Sequence, residues 1–381
     1  MTDSVPMKQP DAHTVFLVSG GAKGITSMCV KKLASVFHSK FILLGRSPNV
    51  PEPDWANGAN DDLALKRSAL NYLKGSGENA TPKRVQQLVG EVTSAREIRS
   101  TVKDVQDAGG TAHYIAVDIT DRAVLMDAVK KAETQFGKIT GCIHGAGVLA
   151  DKFIQQKTVG DIDRVIGVKL RGLMNMLDIA PAEGLDYLVL FSSVAGFYGN
   201  AGQSDYAAAN EILNKVAYQV HYRHPHCRVI ALDWGPWDGG MVTPALKAML
   251  AEKNIAIIPI ETGTDILIDA LTTDSPAPQW VVGQEMTSAQ AAFTEPLQHY
   301  RIRRALSLEH NPFLRDHVIG GNAVLPTVCA VALVVNLCEQ LYPGYNFYAV
   351  DDYRALKGIV FDATLADGYV LTLQEIQKSD L

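Results

Sequence analysis

The stretch Thr14-Val15-Phe16-Leu17-Val18-Ser19-Gly20-Gly21-Ala22-Lys23-Gly24-Ile25 decides how the rest of the chain is read. A run of strand-forming residues passes into three glycines, and an apolar pattern of helical period follows at once. Glycines there let the backbone turn sharply, and let its N–H groups and the helix N-terminus approach an anion such as the pyrophosphate of a dinucleotide. Gly20 and Gly21 alone would equally make a turn. Their place between a first strand and a first helix gives the loop its binding reading, with Gly20, Gly21, Lys23, Gly24 and Ile25 as contacts.

Outward from this loop, short runs rich in Val, Ile, Leu and Phe alternate with helical segments. The expected strands are Thr14–Ser19, Lys40–Gly45, Ala112–Asp118, Ile139–His144, Tyr187–Ser192, Arg228–Asp233 and Trp280–Gly283. That alternation predicts an α/β fold with a doubly wound parallel sheet, whose ligands lie at the carboxyl ends of the strands. The second strand ends in Leu44-Gly45-Arg46-Ser47, which offers a base and no acid. An acid there would bond a ribose 2′-hydroxyl, whereas a guanidinium suits a 2′-phosphate, so NADPH is the expected cofactor, with Lys23 assisting Arg46. A plain surface arginine is the alternative. Asp118 and Ile119, closing the third strand, and Gly145, Ala146 and Gly147, closing the fourth, are assigned to the adenine and its ribose by position.

The 381 residues carry 47% apolar and 20% charged side chains and a net charge of −6, with acids and bases interspersed. No basic stripe points to nucleic acid, and no cationic cluster to an anionic membrane. Five scattered cysteines without ligand spacing read as buried, reduced thiols. The N-terminus has no export or import pattern, which gives a cytoplasmic expectation. The apolar stretch Ala323 to Cys338 is too short to span a bilayer and reads as a buried core helix.

Residues 1–13 read as a tail and 14–283 as the cofactor-binding domain, interrupted at 47–107 by a helical insertion that opens with Pro48, Pro51 and Pro53. A polar linker, 284–309, leads to a different pattern over 310–381: a strand-like Phe313–Ile319, a helix Ala323–Leu341, and β-rich pieces Asn346–Phe361 and Thr364–Gln377. No metal site is expected.

The fifth strand ends in Ser192-Ser193, and Tyr206 follows Ser193 by thirteen residues, at the start of a helix that carries Asn210 one turn later. Reduction of a ketone by hydride needs a proton delivered to the forming alkoxide, and a phenol of lowered pKa can supply it. With these residues the sequence resembles the short-chain dehydrogenase/reductases of Rossmann type, and within them the ketoreductase domains of polyketide and polyunsaturated fatty acid synthases. The ordinary family pattern is Tyr-x-x-x-Lys. Here Tyr206-Ala-Ala-Ala-Asn210 stands instead, as in the synthase ketoreductases, whose lysine lies twenty-four residues before the serine, which is Lys169.

The resemblance implies that Tyr206 donates the proton, Ser193 holds the carbonyl oxygen, Lys169 bonds the nicotinamide ribose and lowers the tyrosine pKa, and Asn210 supports the proton path. Ser192 is the rival to Ser193, and only spacing chooses between them. It also implies that Gly235, Pro236, Trp237 and Met241 line the nicotinamide and the substrate lid, and that Asp151, in Leu149-Ala150-Asp151, bears on stereochemistry and favours a D (3R) hydroxyl. Thr26 departs from the glycine expected at the last position of the loop. The implied substrate is a 3-oxoacyl thioester on an acyl carrier protein domain, with other domains of the same synthase as partners. A catalytically silent scaffold of that synthase and a free-standing reductase of small ketones are the competing readings.

Finally, His317-Val-Ile-Gly-Gly321-Asn-Ala-Val-Leu-Pro326 resembles the His-x-x-x-Gly-x-x-x-x-Pro motif of synthase dehydratases. This implies a partial α+β hot-dog unit with His317 as its base. With the second unit and its acid expected beyond this chain, no competent dehydration is expected.

Overall fold

Every residue of β1 (Val15–Ser19) is buried, as the middle strand of a parallel sheet covered on both faces must be. The computed structural model describes residues 8–240, 242, 244–252, 255–273, 277–284, 297–309, 311–342, 347–362 and 368–376. It divides into two compact units, Met1–Gln284 and Glu285–Leu381. In the first, β1 is joined by β2 (Lys40–Gly45), β3 (Thr111–Ala116), β4 (Gly141–His144), β5 (Tyr187–Ser193), β6 (Arg228–Trp234) and β7 (Gln279–Val282). The order is β3-β2-β1-β4-β5-β6-β7, with every pairing parallel. Each strand falls within two residues of its expected ends.

Alternation along the strands gives the sheet two cores. Phe16, Phe41, Tyr187 and Ile230 face one side, where Phe16 stacks on Phe41 at 5.7 Å. Leu17, Ile42, Leu188 and Val229 face the other. The first side is covered by α1 (Gly24–Phe37), while α4 (Arg122–Phe136) covers the second.

Between β2 and β3 stand α2 (Asp62–Gly75) and α3 (Pro82–Asp107). Their starts are written in the chain: Asp61 accepts from Ala64 N–H at 2.7 Å, and Thr81 precedes a proline at the first helical position and accepts from Arg84 N–H at 3.2 Å. Leu65, Leu73, Leu88 and Val92 make a small core of their own, with Trp55 stacked on Tyr72. Ile98 and Val105, further along α3, belong instead to the main core. The insertion is therefore shorter than 47–107, because the second half of α3 is the crossover helix that returns the chain to β3.

One further helical stretch, α5 (Val159–Ile166) and α6 (Gly172–Ile179), is continuous through a π-helical turn at Gly167–Arg171. The remaining helices of the unit are α7 (Val194–Tyr198), α8 (Ser204–Arg223), α9 (Pro244–Glu252) and α10 (Ile260–Thr272).

The second unit corrects several expectations. A strand, β8 (His299–Ala305), lies inside the expected linker and pairs antiparallel with β12 (Gly368–Gln374). Phe313–Ile319 is a 3-10 turn, Pro312–Asp316, followed by the two-residue β9 (Val318–Ile319), since Pro312 opens a turn more readily than a strand. β9, β10 (Asn322–Val324) and β11 (Val360–Phe361) make a small antiparallel sheet. Asn346–Phe361 is thus strand only at its end among the described residues, and α11 (Thr327–Leu341) starts after Pro326 rather than at Ala323. Nor is α11 a buried core helix. Leu337 is enclosed, but Val328 is 75% exposed. Cys329 and Cys338 on this helix are likewise only half-buried, while Cys29, Cys142 and Cys227 are buried, and all are unpaired. Among the described residues no helix is long and apolar enough to cross a membrane, and no His/Cys/Asp/Glu cluster could hold a metal.

Candidate active site

The strand order reverses between β1 and β4, and there the two glycine segments meet. Gly20 has φ +70°, and a Cβ on it would stand 3.1 Å from Ala146 N, so only glycine lets the loops close on one another. Thr26, the departure from the family loop, packs where a Gly145 side chain would be, so that a Cβ there would meet its Oγ1. One loop has gained a side chain and the facing one leaves room for it.

Lys23 Nζ donates to Ser47 Oγ and Ser94 Oγ, both at 3.0 Å. These two partners are neutral hydroxyls, and Arg46, next to Ser47 in the chain, is exposed. Helix α3 enters here too, since Glu97 accepts from Gly24 N–H at 2.8 Å and Thr101 donates to the Ala22 carbonyl at 3.0 Å. Sequence reasoning missed Ser94, Glu97 and Thr101, which stand more than seventy residues from the loop they support and carry no local signal. Asp118 is exposed at the end of β3 and accepts twice from Thr120, while the Arg46 charge helps hold its carboxyl below the usual range. Ile119 turns inward against Gly172.

Lys169 lies in the π turn, 3% exposed, with its Nζ donating to the Phe191 carbonyl at 2.6 Å and standing 5.8 Å from the centre of the Tyr206 ring. A π turn adds a residue to the helical circuit and so aims this side chain inward. Burial pushes its ammonium down to about 7. Gly147 passes so close that a Cβ would stand 3.0 Å from Lys169 Cε, which brings the loop after β4 and the lysine together.

Ser193 caps α7 by accepting from Ala195 N–H at 3.2 Å, and bears on the Tyr206 phenol. Its rival Ser192 points elsewhere: it is buried and donates to the Asn210 carbonyl at 3.1 Å. Asn210 Nδ2 donates to the Tyr206 carbonyl at 2.8 Å, one turn back on α8. The tyrosine pKa is not lowered as expected. Burial raises it, Asn210 and Ser193 partly offset this, and Asp151 adds to the rise. Lys169 spends its strongest contact on Phe191 and sits over the ring rather than at the hydroxyl, so its charge does little for the phenolate.

His144 ties these parts together. It is fully buried, with Nδ1 2.8 Å from Ser19 Oγ and Nε2 2.9 Å from the Lys169 carbonyl, and Ser19 Oγ accepts from Ala146 N–H at 3.2 Å. A carbonyl can only accept, so Nε2 carries the hydrogen and Nδ1 accepts from Ser19. Burial, with the Lys169 charge second, holds the imidazole neutral by lowering its pKa to about 3.

Ahead of α8, Asp151 accepts from Gln203 Nε2 at 2.9 Å, three residues before Tyr206. Gly235 pairs with Val282, Pro236 with Ile258, and Gly240, at φ +62°, closes over Ile25. Trp237 corrects its expected place on the lid: it is 2% exposed, packed edge-on against Trp234 at 4.9 Å and against Gly263, where no side chain would fit. Met241 lies outside the described residues. In the second unit His317 is exposed and its Nδ1–H donates to the Val324 carbonyl at 2.7 Å, leaving Nε2 as the basic nitrogen.

Known proteins share this fold. A ketoreductase domain from the bacillaene assembly line superposes with a TM-score of 0.54 over 74% of this chain and 59% of that one, at 25% identity. NAD+-bound xylitol dehydrogenase, at 16% identity and TM-score 0.52, shows the same fold over 72% of this chain and 99% of its own. In sequence the chain is 40% identical over 98% of its length to one of the subunits of the polyunsaturated fatty acid synthase of Thraustochytrium sp., and it spans 13% of that polypeptide. It is 29% identical over 58% of its length to polyketide synthase PksL of Bacillus subtilis, of which it spans 5%. Residues 289–377 match the polyketide synthase dehydratase domain, which makes the second unit a partial hot-dog unit. Residues 14–239 match the KR domain, a span that runs through six of the seven parallel strands and all four proposed catalytic residues. On that ground the chain belongs to the KR domain family, the ketoreductases of polyketide and polyunsaturated fatty acid synthases.

Proposed function

We propose that this domain reduces a 3-oxoacyl thioester, carried on the phosphopantetheine of an acyl carrier protein domain, to the D (3R) 3-hydroxyacyl thioester, with NADPH as reductant. The observation that carries the reading is the enclosed Lys169 beside Tyr206, with Ser193 and not Ser192 turned to the phenol.

The residues present fit the cofactor. Gly20, Gly145 and Gly147 let the two loops and Lys169 pack closely, since a Cβ on any of them would meet Ala146, Thr26 or Lys169, and that close packing is what a glycine loop closing on a dinucleotide requires. Lys23, held by neutral hydroxyls, and the exposed Arg46 form a cationic end suited to a 2′-phosphate, which favours NADPH over NADH. When bound, the nicotinamide supplies the hydride. Ser193 donates to the ketone oxygen, and Tyr206 releases its phenolic proton to that oxygen as charge develops there. Lys169 anchors the ribose side, and Asn210 keeps the start of α8 in register for proton resupply. Asp151, by holding Gln203, shapes the wall on which the acyl chain rests.

The test is oxidation of NADPH, with NADH in parallel, on a 3-oxoacyl pantetheine thioester by the wild-type chain and Tyr206→Phe. The expected result is preference for NADPH and a loss of about 10²–10⁴-fold in the variant, the range for a general acid. Binding of NADPH by both proteins with turnover by neither would overturn the reading in favour of a silent scaffold.

A further inference from the structure

Lys157 and Asp205 form an ion pair at 2.7 Å whose two side chains are each 1% exposed, whereas the pairs along the helices, such as Lys131–Asp127, lie in water. Enclosing two charges costs so much desolvation that such a pair adds little net stability, and its clearest use is to fix geometry. The geometry here surrounds the proton donor. Asp205 Oδ1 also accepts from the backbone N–H of Tyr206 at 2.9 Å. Lys157 Nζ also donates to the carbonyl of Ala150 at 3.0 Å, closing residues 150–157 into a ring around a single 3-10 turn, Ile154–Gln156.

That ring carries Asp151, which holds Gln203, and Lys152, whose N–H donates to the Gly202 carbonyl at 2.9 Å. The substrate loop therefore meets the Tyr206 helix at two places: a solvent-side contact at Gly202 and Gln203, and a buried ionic one at Asp205. With one contact the loop could pivot. With both, its angle to the phenol is set.

We infer that Lys157 and Asp205 are a positioning pair that fixes the loop 149–157 against Tyr206 and thereby selects which face of the ketone is presented for reduction. This rests on the reductase reading. Neither residue touches the reacting atoms; each acts through the wall that orients them.

The experiment measures the ratio of the two 3-hydroxy enantiomers made by wild type, Lys157→Met, Asp205→Asn and Lys157→Arg, together with KM, kcat, circular dichroism and NADPH binding. The expected result is one dominant enantiomer from wild type, a fall in the ratio of about tenfold or more with raised KM in the first two variants, and recovery in Lys157→Arg. A purely structural pair would lower melting temperature and rate but leave the ratio alone, and that outcome in folded variants overturns the inference. If Lys157→Met does not fold, Lys157→Gln and the exchange pair Lys157→Asp with Asp205→Lys carry the same comparison. Absence of turnover by wild type overturns the reductase reading itself, whereas turnover with an unchanged ratio overturns this inference alone.

Discussion

The two units contain segments of similar apolar content and treat them differently. In the first, β1, β4 and β6 are buried at every residue. In the second, eleven of the fifteen residues of α11 are apolar, yet Leu337 alone among those described is buried. Burial follows from what surrounds a segment. One seven-stranded sheet offers two broad faces to helices, while a three-stranded sheet and a separate two-stranded one offer less continuous surface.

The largest expected effect that would break this comparison is in the core. Phe16→Ala empties a site between Phe41 and Tyr187, and should cost about 3–5 kcal/mol in urea unfolding, the usual range for such a cavity. Val328→Ala on α11 should change stability by less than about 0.5 kcal/mol. Tryptophan emission reports the first unit alone, because all four tryptophans, Trp55, Trp234, Trp237 and Trp280, lie there. Equal effects from the two substitutions would show that α11 is as well packed as β1.

A second, smaller effect concerns the buried imidazole. His144 titrates at about 3 when folded, below the ordinary 6.5. The unfolded chain therefore binds an extra proton in that window, so His144 should draw stability down as pH falls from about 6.5 towards 3. His144→Asn should flatten the tryptophan-monitored acid slope there, and an unchanged slope would mean the imidazole is hydrated.

The smallest effect sharpens the comparison inside the first unit. Lys169 titrates at about 7 when folded against 10.5 when free, so between these values the unfolded chain binds more protons and stability rises with pH. Lys169→Met should abolish reduction while raising the melting temperature at pH 7, by about 1 kcal/mol in stability after the loss of the Phe191 contact. At pH 10 the gain should shrink. A variant less stable than wild type at pH 7 would mean that the ammonium is well solvated.

Strands such as Lys40–Gly45 are legible because an apolar run between turn residues is a local property, while Ser193 and Tyr206 are legible through the thirteen-residue spacing of the family that the chain resembles. What stays hidden depends on distant residues meeting. β8 has the alternation of a strand, with Tyr300 and Ile302 half-covered and Arg301 and Arg303 exposed, yet its arginines read as a linker until its partner β12 is known. Trp237 reads as a lid residue only through the family resemblance, whereas Gly263 opens a slot that buries the ring. Asp205 and Lys157, and Ser94 beside Lys23, are joined only by the fold.

The double membership of α3 has a practical consequence for anyone rebuilding this domain. One unbroken helix starts in the small core of Leu88 and Val92 and ends in the main core at Val105, touching the glycine loop through Ser94, Glu97 and Thr101 on the way. A graft that exchanges the whole of 47–107 for the shorter connection of another ketoreductase would remove both a face of the main core and the scaffolding of the glycine loop. A junction placed before Ser94 keeps both, and makes the outer helices an exchangeable cassette.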